Sequence, residues 1–183
     1  MKPAIFAYCR AASVADALAL LTAADGDASL IAGGQSLGPL LNLRMSAAAQ
    51  VIDIAALPEL RQCRDFDDCI FIGAGVTHAQ IEDGKIPNAT HGFMQRAAGK
   101  IAYRAIRCHG TIGGSVAMAD PAADWPCILL ALDAAAVAAT GLAGDGVTAT
   151  AAGSGASGAG ASNSNRKESD SGVMAHNRAS PST

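Results

Sequence analysis

The large apolar side chains of this chain are concentrated in its first three quarters. Of the 37 Leu, Ile, Val and Phe residues in the 183-residue sequence, 35 precede residue 143. From residue 143 onward, 30 of 41 residues are Ala, Gly, Ser, Thr or Asn, and only Val147 and Val173 could anchor a core. Such a segment buries too little apolar surface to offset a backbone ordering entropy of about 1 to 2 kcal/mol per residue. We therefore predict globular structure over residues 1–142 and a low-complexity, flexible tail over residues 143–183.

Charge and apolar-run length exclude several classes of protein. The 13 basic and 16 acidic residues give a net charge of −3 without any basic cluster, which argues against nucleic-acid binding. No apolar run reaches the length of a membrane span, and the first ten residues lack the apolar core of a secretory leader. The five scattered cysteines are typical of reduced thiols. We expect a cytoplasmic protein with no membrane span.

Capping and periodicity signals predict a β-loop-helix-β unit over residues 1–57. Ser13 followed by Asp16 has the pattern of a helix start, and Val14, Leu18 and Leu21 share one stripe of that helix. The predicted elements are an edge strand at residues 3–8, a helix at Val14–Ala23, and strands at residues 29–32 and 50–54.

A second α+β unit is predicted over residues 58–142. Thr77 and Gln80 form a capping-box pattern at the start of one helix. Pro126 would cost about 3 kcal/mol inside a helix. The helix that contains Pro126 is therefore predicted to begin just before it, with Asp124 as its N-cap. The predicted elements are a strand at residues 69–72, helices at 77–83, 88–101 and 124–133, strand and turn at 106–115, and a weak strand at 134–140.

Two segments share one local pattern, in which a short apolar run leads to a Gly-Gly pair with a hydroxyl residue close by. They are Ile31-Ala32-Gly33-Gly34-Gln35-Ser36 and Thr111-Ile112-Gly113-Gly114-Ser115. Paired glycines allow close approach of the backbone, so that successive N–H groups can converge on anionic oxygens. The two loops could therefore hold the two phosphates of a diphosphate. The alternative, that each pair is only a tight turn, stays open at this point.

Other motifs predict neither a catalytic residue nor a metal site. Gly73-Ala74-Gly75 has His78 where a dinucleotide fingerprint would have its third glycine, which favours a strand-to-helix turn. Cys108-His109, His91 and Cys127 lack zinc-ligand spacing and are interpreted as structural. The sequence also lacks a nucleophile elbow and the cysteine spacing of an iron–sulfur cluster.

Six segments, in order and at natural spacing, carry a resemblance to a known family. The chain resembles the FAD-binding medium subunit of molybdenum hydroxylases, the group that includes carbon monoxide dehydrogenase and the FAD domain of xanthine dehydrogenase. The segments are Met1-Lys2-Pro3 with Phe6 and Tyr8, IAGGQSLGPLLNLRM (31–45), VIDIAALPEL (51–60), IGAGVTH (72–78), IAYRAIRCHGTIGGS (101–115) and ADPAADWP (119–126).

The resemblance implies an α+β FAD-binding fold of the vanillyl-alcohol-oxidase (PCMH) type, with the flavin between a small β-α-β subdomain and an incomplete second subdomain. It implies that both glycine loops bind the diphosphate and that Asp124 contacts the cofactor beyond the phosphates. The FAD-binding residues implied in this way are Ala32, Gly33, Gly34, Gln35, Ser36, Leu37, Thr111, Gly113, Gly114, Ser115 and Asp124.

The resemblance also implies an oxidoreductase subunit that transforms no substrate itself. Electrons would come from a small subunit with 2Fe-2S clusters, and a large subunit would carry the molybdenum cofactor. The flavin would then pass the electrons to an external acceptor.

Three departures from the family pattern limit the resemblance. Cys108-His109 stands where the family often has Asn-Arg, and Ser115 stands where Asn is frequent. The resemblance also stops near Gly141, which we interpret as a frameshift, a truncation or a natural low-complexity linker. The alternative function is a truncated, non-enzymatic remnant that does not hold FAD stably.

Overall fold

The N-terminal unit is a three-stranded parallel sheet with a helix on one face. The computed structural model describes residues 2–66, 69–138, 148–150 and 172–176. The strands lie in the order β1-β3-β2, and Arg10, Asp53 and Ile31 are in register at their carboxyl ends. The elements are β1 (Ala7–Arg10), α1 (Val14–Ala23), β2 (Ala28–Ile31), α2 (Leu37–Asn42) and β3 (Gln50–Asp53).

The β-α-β prediction is confirmed, with two differences in detail. Helix α1 has the predicted bounds, and the Ser13 hydroxyl accepts a hydrogen bond from the Asp16 N–H at 3.1 Å. Strand β1 begins later than predicted because its pairing partner starts only at Gln50. Helix α2 was not predicted, since Gly38 and Pro39 disfavour helix interiors. Both lie in its first turn, where Pro39 needs no intrahelical acceptor.

Within the described residues, the second unit combines an antiparallel sheet with five short helices. After a 3₁₀ turn at Pro58–Arg61, the strands follow the spatial order β4-β5-β8-β6-β7. The strands are β4 (Cys63–Asp65), β5 (Cys69–Gly73), β6 (Ala135–Ala138), β7 (Thr148–Thr150) and β8 (Gly172–His176); the helices are α3 (His78–Glu82), α4 (Phe93–Ala98), α5 (Arg104–His109), α6 (Ile112–Met118) and α7 (Asp124–Ala131).

Two predictions in this unit are wrong. Residues 106–115 form parts of α5 and α6 instead of strand and turn, because Thr111 caps α6 and the glycines in its first turn lie close against another segment. The helix predicted at 88–101 covers only Phe93–Ala98, since His91 and Gly92 adopt left-handed backbone angles just before it.

The predicted start of the last helix is displaced by one residue. Ala123 is the N-cap and Asp124 is the first helical residue, so Pro126 lies in the first turn, where a missing N–H costs no hydrogen bond. The capping box at Thr77 and Gln80 is confirmed, as is a strand within residues 134–140.

The tail prediction is wrong for two segments of residues 143–183. Thr148–Thr150 pairs with β6, and Gly172–His176 pairs with both β5 and β6. Pairing with β8 satisfies backbone groups along the edge of β5 that β4 leaves open. The rest of that prediction lies outside the described residues.

Each unit has its own apolar core. One cluster joins Ile52 of β3 to Ala17 of α1 and to Leu57 and Leu60 after β3. The other joins β5 to the helices and includes Ile70, Ile81, Met94, Ile112 and Trp125. Among the helices of the described residues, none is long and apolar enough to cross a bilayer.

Candidate functional site

The first glycine loop leaves the carboxyl end of β2 and leads into α2. Gly34 has φ +69°, a left-handed angle that favours glycine. The Gln35 side chain donates from Nε2 to the Gly33 carbonyl at 2.8 Å and so braces the loop from within. The loop is half-buried except at Ser36, which is exposed.

This loop offers a row of unused backbone donors. Within the described part of the chain, the N–H groups from Gly33 to Leu37 donate to no carbonyl and to no side chain. The Gly34 carbonyl, in contrast, accepts from the Gly38 N–H at 2.9 Å. Half-buried donors without an acceptor are suited to an anionic ligand, since an unsatisfied polar group is otherwise costly.

The second glycine loop, which the structure forms as the N-cap Thr111 and the first turn of α6, has the same local sequence pattern but uses its backbone donors internally. The N–H of Ile112 donates to the Val76 carbonyl at 3.0 Å, and that of Gly113 donates to the Ala74 carbonyl at 2.9 Å. The Gly114 N–H donates to the Thr111 hydroxyl at 3.1 Å. These three N–H groups are therefore engaged within the protein, and those of Ile112 and Gly113 attach the loop to the turn after β5.

Hydroxyl groups remain available at the second loop. Ser115 is half-buried, and its hydroxyl has no partner among the described residues. The Thr111 oxygen accepts from Gly114, and its O–H can still donate. That these hydroxyls donate hydrogen bonds to a ligand stays a prediction.

The two loops meet at the turn between α5 and α6. A Cβ built on Gly33 would overlap the His109 carbonyl oxygen and lie 2.9 Å from the Gly110 Cα. A Cβ on Gly113 would likewise lie 2.7 Å from the Ala74 Cα. Both glycines are thus required by close backbone packing, and the first loop lies directly against the residues that precede the second.

Asp124, the last predicted site residue, lies beside a buried aromatic pair. It is exposed at the start of α7, and the next residue, Trp125, is 1% exposed. The Trp125 Nε1–H donates to Nδ1 of His78 at 3.0 Å, with ring centroids 5.8 Å apart. The fold therefore connects Asp124 to the second glycine loop through the His78 side chain.

Burial determines the charge state of this histidine. Desolvation lowers the pKa of His78 to about 4, with the Asp124 charge opposing this shift and Arg107 adding to it. The imidazole is therefore neutral near pH 7. In the sequence, His78 stands where a dinucleotide fingerprint would have its third glycine, and its spacing of three residues from Ile81 is the signal that places it on the same buried helix face.

An ion-pair network fixes α5, which leads into the loop junction. Buried Arg107 makes a two-point contact with Glu82, at 2.8 and 3.0 Å, and donates to the carbonyls of Ile101 and Ala102. Arg104 binds Glu82 and Asp83. The hydrogen bond from Arg107, followed by that from Arg104, holds the pKa of Glu82 below its ordinary value. The network holds α5 against α3.

A polar cluster occupies the carboxyl edge of the parallel sheet. Buried Asp53 accepts hydrogen bonds from the Tyr8 hydroxyl, from the Ala55 N–H at 2.8 Å and from Arg10 at 3.3 Å. Burial acts to raise the pKa of Asp53, but these hydrogen bonds outweigh it and keep the pKa below its ordinary value. The cluster fixes the edge from which the first glycine loop departs.

The site fits the diphosphate of FAD, and it does so mainly through the first loop. A diphosphate needs several N–H or O–H donors at close approach, and the residues from Gly33 to Leu37 supply them without a Cβ at either glycine. Thr111 and Ser115 can add hydroxyls from the second loop. Within the described ranges, no group of three His, Cys, Asp or Glu side chains is arranged to hold a metal ion.

Comparison with known proteins gives consistent results. The family model described as the FAD binding domain in molybdopterin dehydrogenase matches residues 4–150. The chain is 48% identical over 145 residues to the 6-hydroxypseudooxynicotine dehydrogenase complex subunit alpha of Paenarthrobacter nicotinovorans, covering 79% of this chain and 49% of that protein. It is 40% identical over 147 residues to caffeine dehydrogenase subunit beta of Pseudomonas sp. (strain CBB1), a match that covers 80% of this chain and 50% of that protein. The chain thus spans about half the length of these curated relatives.

Solved structures agree on the fold. The carbon monoxide dehydrogenase of Hydrogenophaga pseudoflava that lacks the Mo-pyranopterin moiety matches with a TM-score of 0.77 at 28% identity, over 98% of this chain and 62% of that one. The quinoline 2-oxidoreductase of Pseudomonas putida 86 matches with a TM-score of 0.79 at 26% identity, over 98% of this chain and 61% of that one.

Proposed function

Because this chain belongs to the family of FAD-binding domains of molybdopterin dehydrogenases, we propose that it binds FAD within the electron-transfer subunit of a molybdenum hydroxylase. The observation that carries this proposal is the row of N–H groups from Gly33 to Leu37 that have no acceptor among the described residues; this row lies against the turn that leads into the second glycine loop. The remnant that cannot hold FAD is not favoured, since the family match includes both loops.

In this proposal the first loop provides most of the donors to the diphosphate. The N–H groups of Gly33, Gly34 and Gln35 and the exposed hydroxyl of Ser36 would face the phosphates, with Ala32 and Leu37 at the two ends of the loop. Thr111 and Ser115 would add hydroxyls, and Gly113 and Gly114 would keep the second loop close to the turn after β5. Asp124 would contact the cofactor beyond its phosphates.

The chemistry belongs to the cofactor and the placement belongs to the protein. Bound FAD supplies a centre that can accept electrons singly and release them in pairs. This chain's residues hold the anionic end, and no side chain among the described residues is assigned a proton-transfer role. We propose the PCMH-type arrangement of the two units, with the flavin between them.

The partners follow from the same proposal. An iron–sulfur small subunit would deliver electrons and a molybdenum-bearing large subunit would oxidise the substrate, in a cytoplasmic complex. The name of one relative, a subunit alpha of a dehydrogenase complex, supports an assembly of several chains.

A binding titration tests this function. Purified protein is titrated into FAD while flavin fluorescence is followed, with ADP and riboflavin as competitors. We expect saturable binding that ADP weakens more than riboflavin does, because the donors of the site face the diphosphate. Absence of saturable binding, or competition by riboflavin alone, would contradict the proposal.

A further inference from the structure

The segments that carry the proposed FAD contacts converge on one buried side chain, His78. Its backbone N–H donates to the Gly110 carbonyl at 3.0 Å, directly before the second glycine loop. Its ring accepts from Trp125, which follows Asp124. Gly110 also lies against Gly33 of the first loop. His78 therefore contacts Gly110, next to the second glycine loop, and Trp125, next to Asp124. Through Gly110 it is also linked to Gly33 of the first loop.

The hydrogen bond from Trp125 fixes the tautomer of this histidine. An indole N–H can only donate, so Nδ1 of His78 must be the acceptor, and the proton of the neutral ring is on Nε2. The Nε2 edge faces Gly110, where a Cβ would lie 2.8 Å from Nε2 and 2.9 Å from Cδ2. The ring thus fills the space that a side chain at position 110 would need.

Close packing on both sides fixes the turn at Gly110. The His78 ring packs against it, and Gly33 approaches the same Cα and the neighbouring His109 carbonyl. A shift of the ring therefore moves the surface on which the first loop rests. Protein interiors are packed too densely for such a shift to be absorbed locally.

We propose that His78 is a positioning residue of the flavin site: its neutral imidazole, held by Trp125, sets the α5–α6 turn against which the first glycine loop is placed. The inference rests on the proposed function, since the loop placed in this way is the one assigned to the diphosphate. A histidine that only fills the core would change stability without changing the loop.

The test compares two substitutions of His78 with a core control. His78→Leu removes the acceptor for Trp125, whereas His78→Asn keeps an acceptor oxygen close to the place of Nδ1. Ile81→Val changes a fully buried residue of the same helix and lowers stability, whereas the atoms nearest to a Cβ on Gly110 belong to His78 and Ile106. FAD affinity is measured for each folded variant, and the amide resonances of Gly33 and Gly34 are recorded without FAD.

We expect His78→Leu to weaken FAD binding by about tenfold or more, since small displacements of binding groups have large effects. It should also shift the Gly33 and Gly34 amide resonances. His78→Asn should bind FAD more tightly than His78→Leu, and Ile81→Val should match the wild type in both readouts. The indole N–H resonance of Trp125, the one tryptophan in the sequence, reports whether its hydrogen bond persists.

Two results would overturn the inference. Unshifted Gly33 and Gly34 amides in His78→Leu would show that the ring does not place the loop. Equal weakening by Ile81→Val would show that general destabilisation explains the effect. If wild-type protein binds no FAD, the proposed function fails, and the amide shifts without FAD still decide whether His78 positions the loop.

A second variant tests the same contact from the other side. Gly110→Ala places a methyl group against Nε2, at a backbone angle (φ −57°) that alanine adopts without strain. It should weaken FAD binding in the wild type but less in a His78→Ala background, where the space is open. Equal effects in both backgrounds would contradict the packing role of the ring.

Discussion

The two glycine pairs of this protein have similar local sequence and different structural roles. At the first pair the N–H groups from Gly33 to Leu37 have no acceptor among the described residues, whereas at the second pair those of Ile112, Gly113 and Gly114 are all engaged. The difference arises outside the pairs, because the turn after β5 presents carbonyls to the second loop, whereas no described carbonyl accepts from the first. A Gly-Gly pair therefore indicates close backbone approach, and the surroundings decide whether its N–H groups are used within the protein or stay available to a ligand.

The largest expected effect is on the first loop. Gly33→Val should reduce FAD affinity by about a hundredfold, because its Cβ overlaps the His109 carbonyl and displaces the loop. Fluorescence titration measures the loss, and Gly38→Ala is the matched control, since a Cβ there meets nothing within 4 Å. If Gly33→Val binds FAD with wild-type affinity, the proposed difference between the ligand-binding first loop and the structural second loop is contradicted.

The corresponding change in the second loop should act on folding. Gly113→Ala places a methyl group against Ala74 and should lower the free energy of unfolding by about 1 to 3 kcal/mol, the usual cost of overpacking. Urea denaturation measures this value. If the variant keeps wild-type stability and loses FAD binding, the second loop contacts the ligand as directly as the first.

Lowering the pH should lower the stability of the fold through His78, the residue that packs beside the second loop. The folded-state pKa of His78, about 4, lies below the ordinary 6.5, so the unfolded chain takes up a proton first as the pH falls. The stability that neutral His78 contributes is complete above about pH 6.5 and is lost progressively toward pH 4. This amounts to roughly 2 kcal/mol between about pH 7 and pH 5. Denaturation curves of wild type and His78→Asn should converge as the pH falls, and parallel curves would refute the linkage.

Single hydroxyls should give the smallest effects and separate the two roles within one loop. Thr111→Val removes the acceptor for the Gly114 N–H and should cost about 1 kcal/mol of stability. Ser115→Ala removes a hydroxyl without a described partner and should leave stability unchanged while weakening FAD binding severalfold. Thermal melts and FAD titrations of both variants test this. If Ser115→Ala lowers stability and Thr111→Val weakens FAD binding instead, Ser115 has the structural role and Thr111 contacts the ligand.

Local signals in the sequence predicted the features that depend on neighbouring residues. Ser13 with Asp16 specified the start of α1, Thr77 with Gln80 specified the start of α3, and the glycine pairs located both loops. Features that depend on distant contacts were missed. Helix α5 is stabilised by the contact of Arg107 with Glu82, and the N–H groups of Ile112 and Gly113 donate to carbonyls 36 and 39 residues earlier in the chain.

The position of β8 has a consequence for how the chain folds. Ile70 of β5 pairs with Ala175, roughly 100 residues later, so the middle strand of the antiparallel sheet is synthesised after its neighbours. Such long-range pairing slows folding, since a large loop must close before the contacts form. During synthesis β5 keeps one edge open with every side chain destined for the interior. The interval before β8 emerges is therefore the stage at which this protein is most exposed to aggregation.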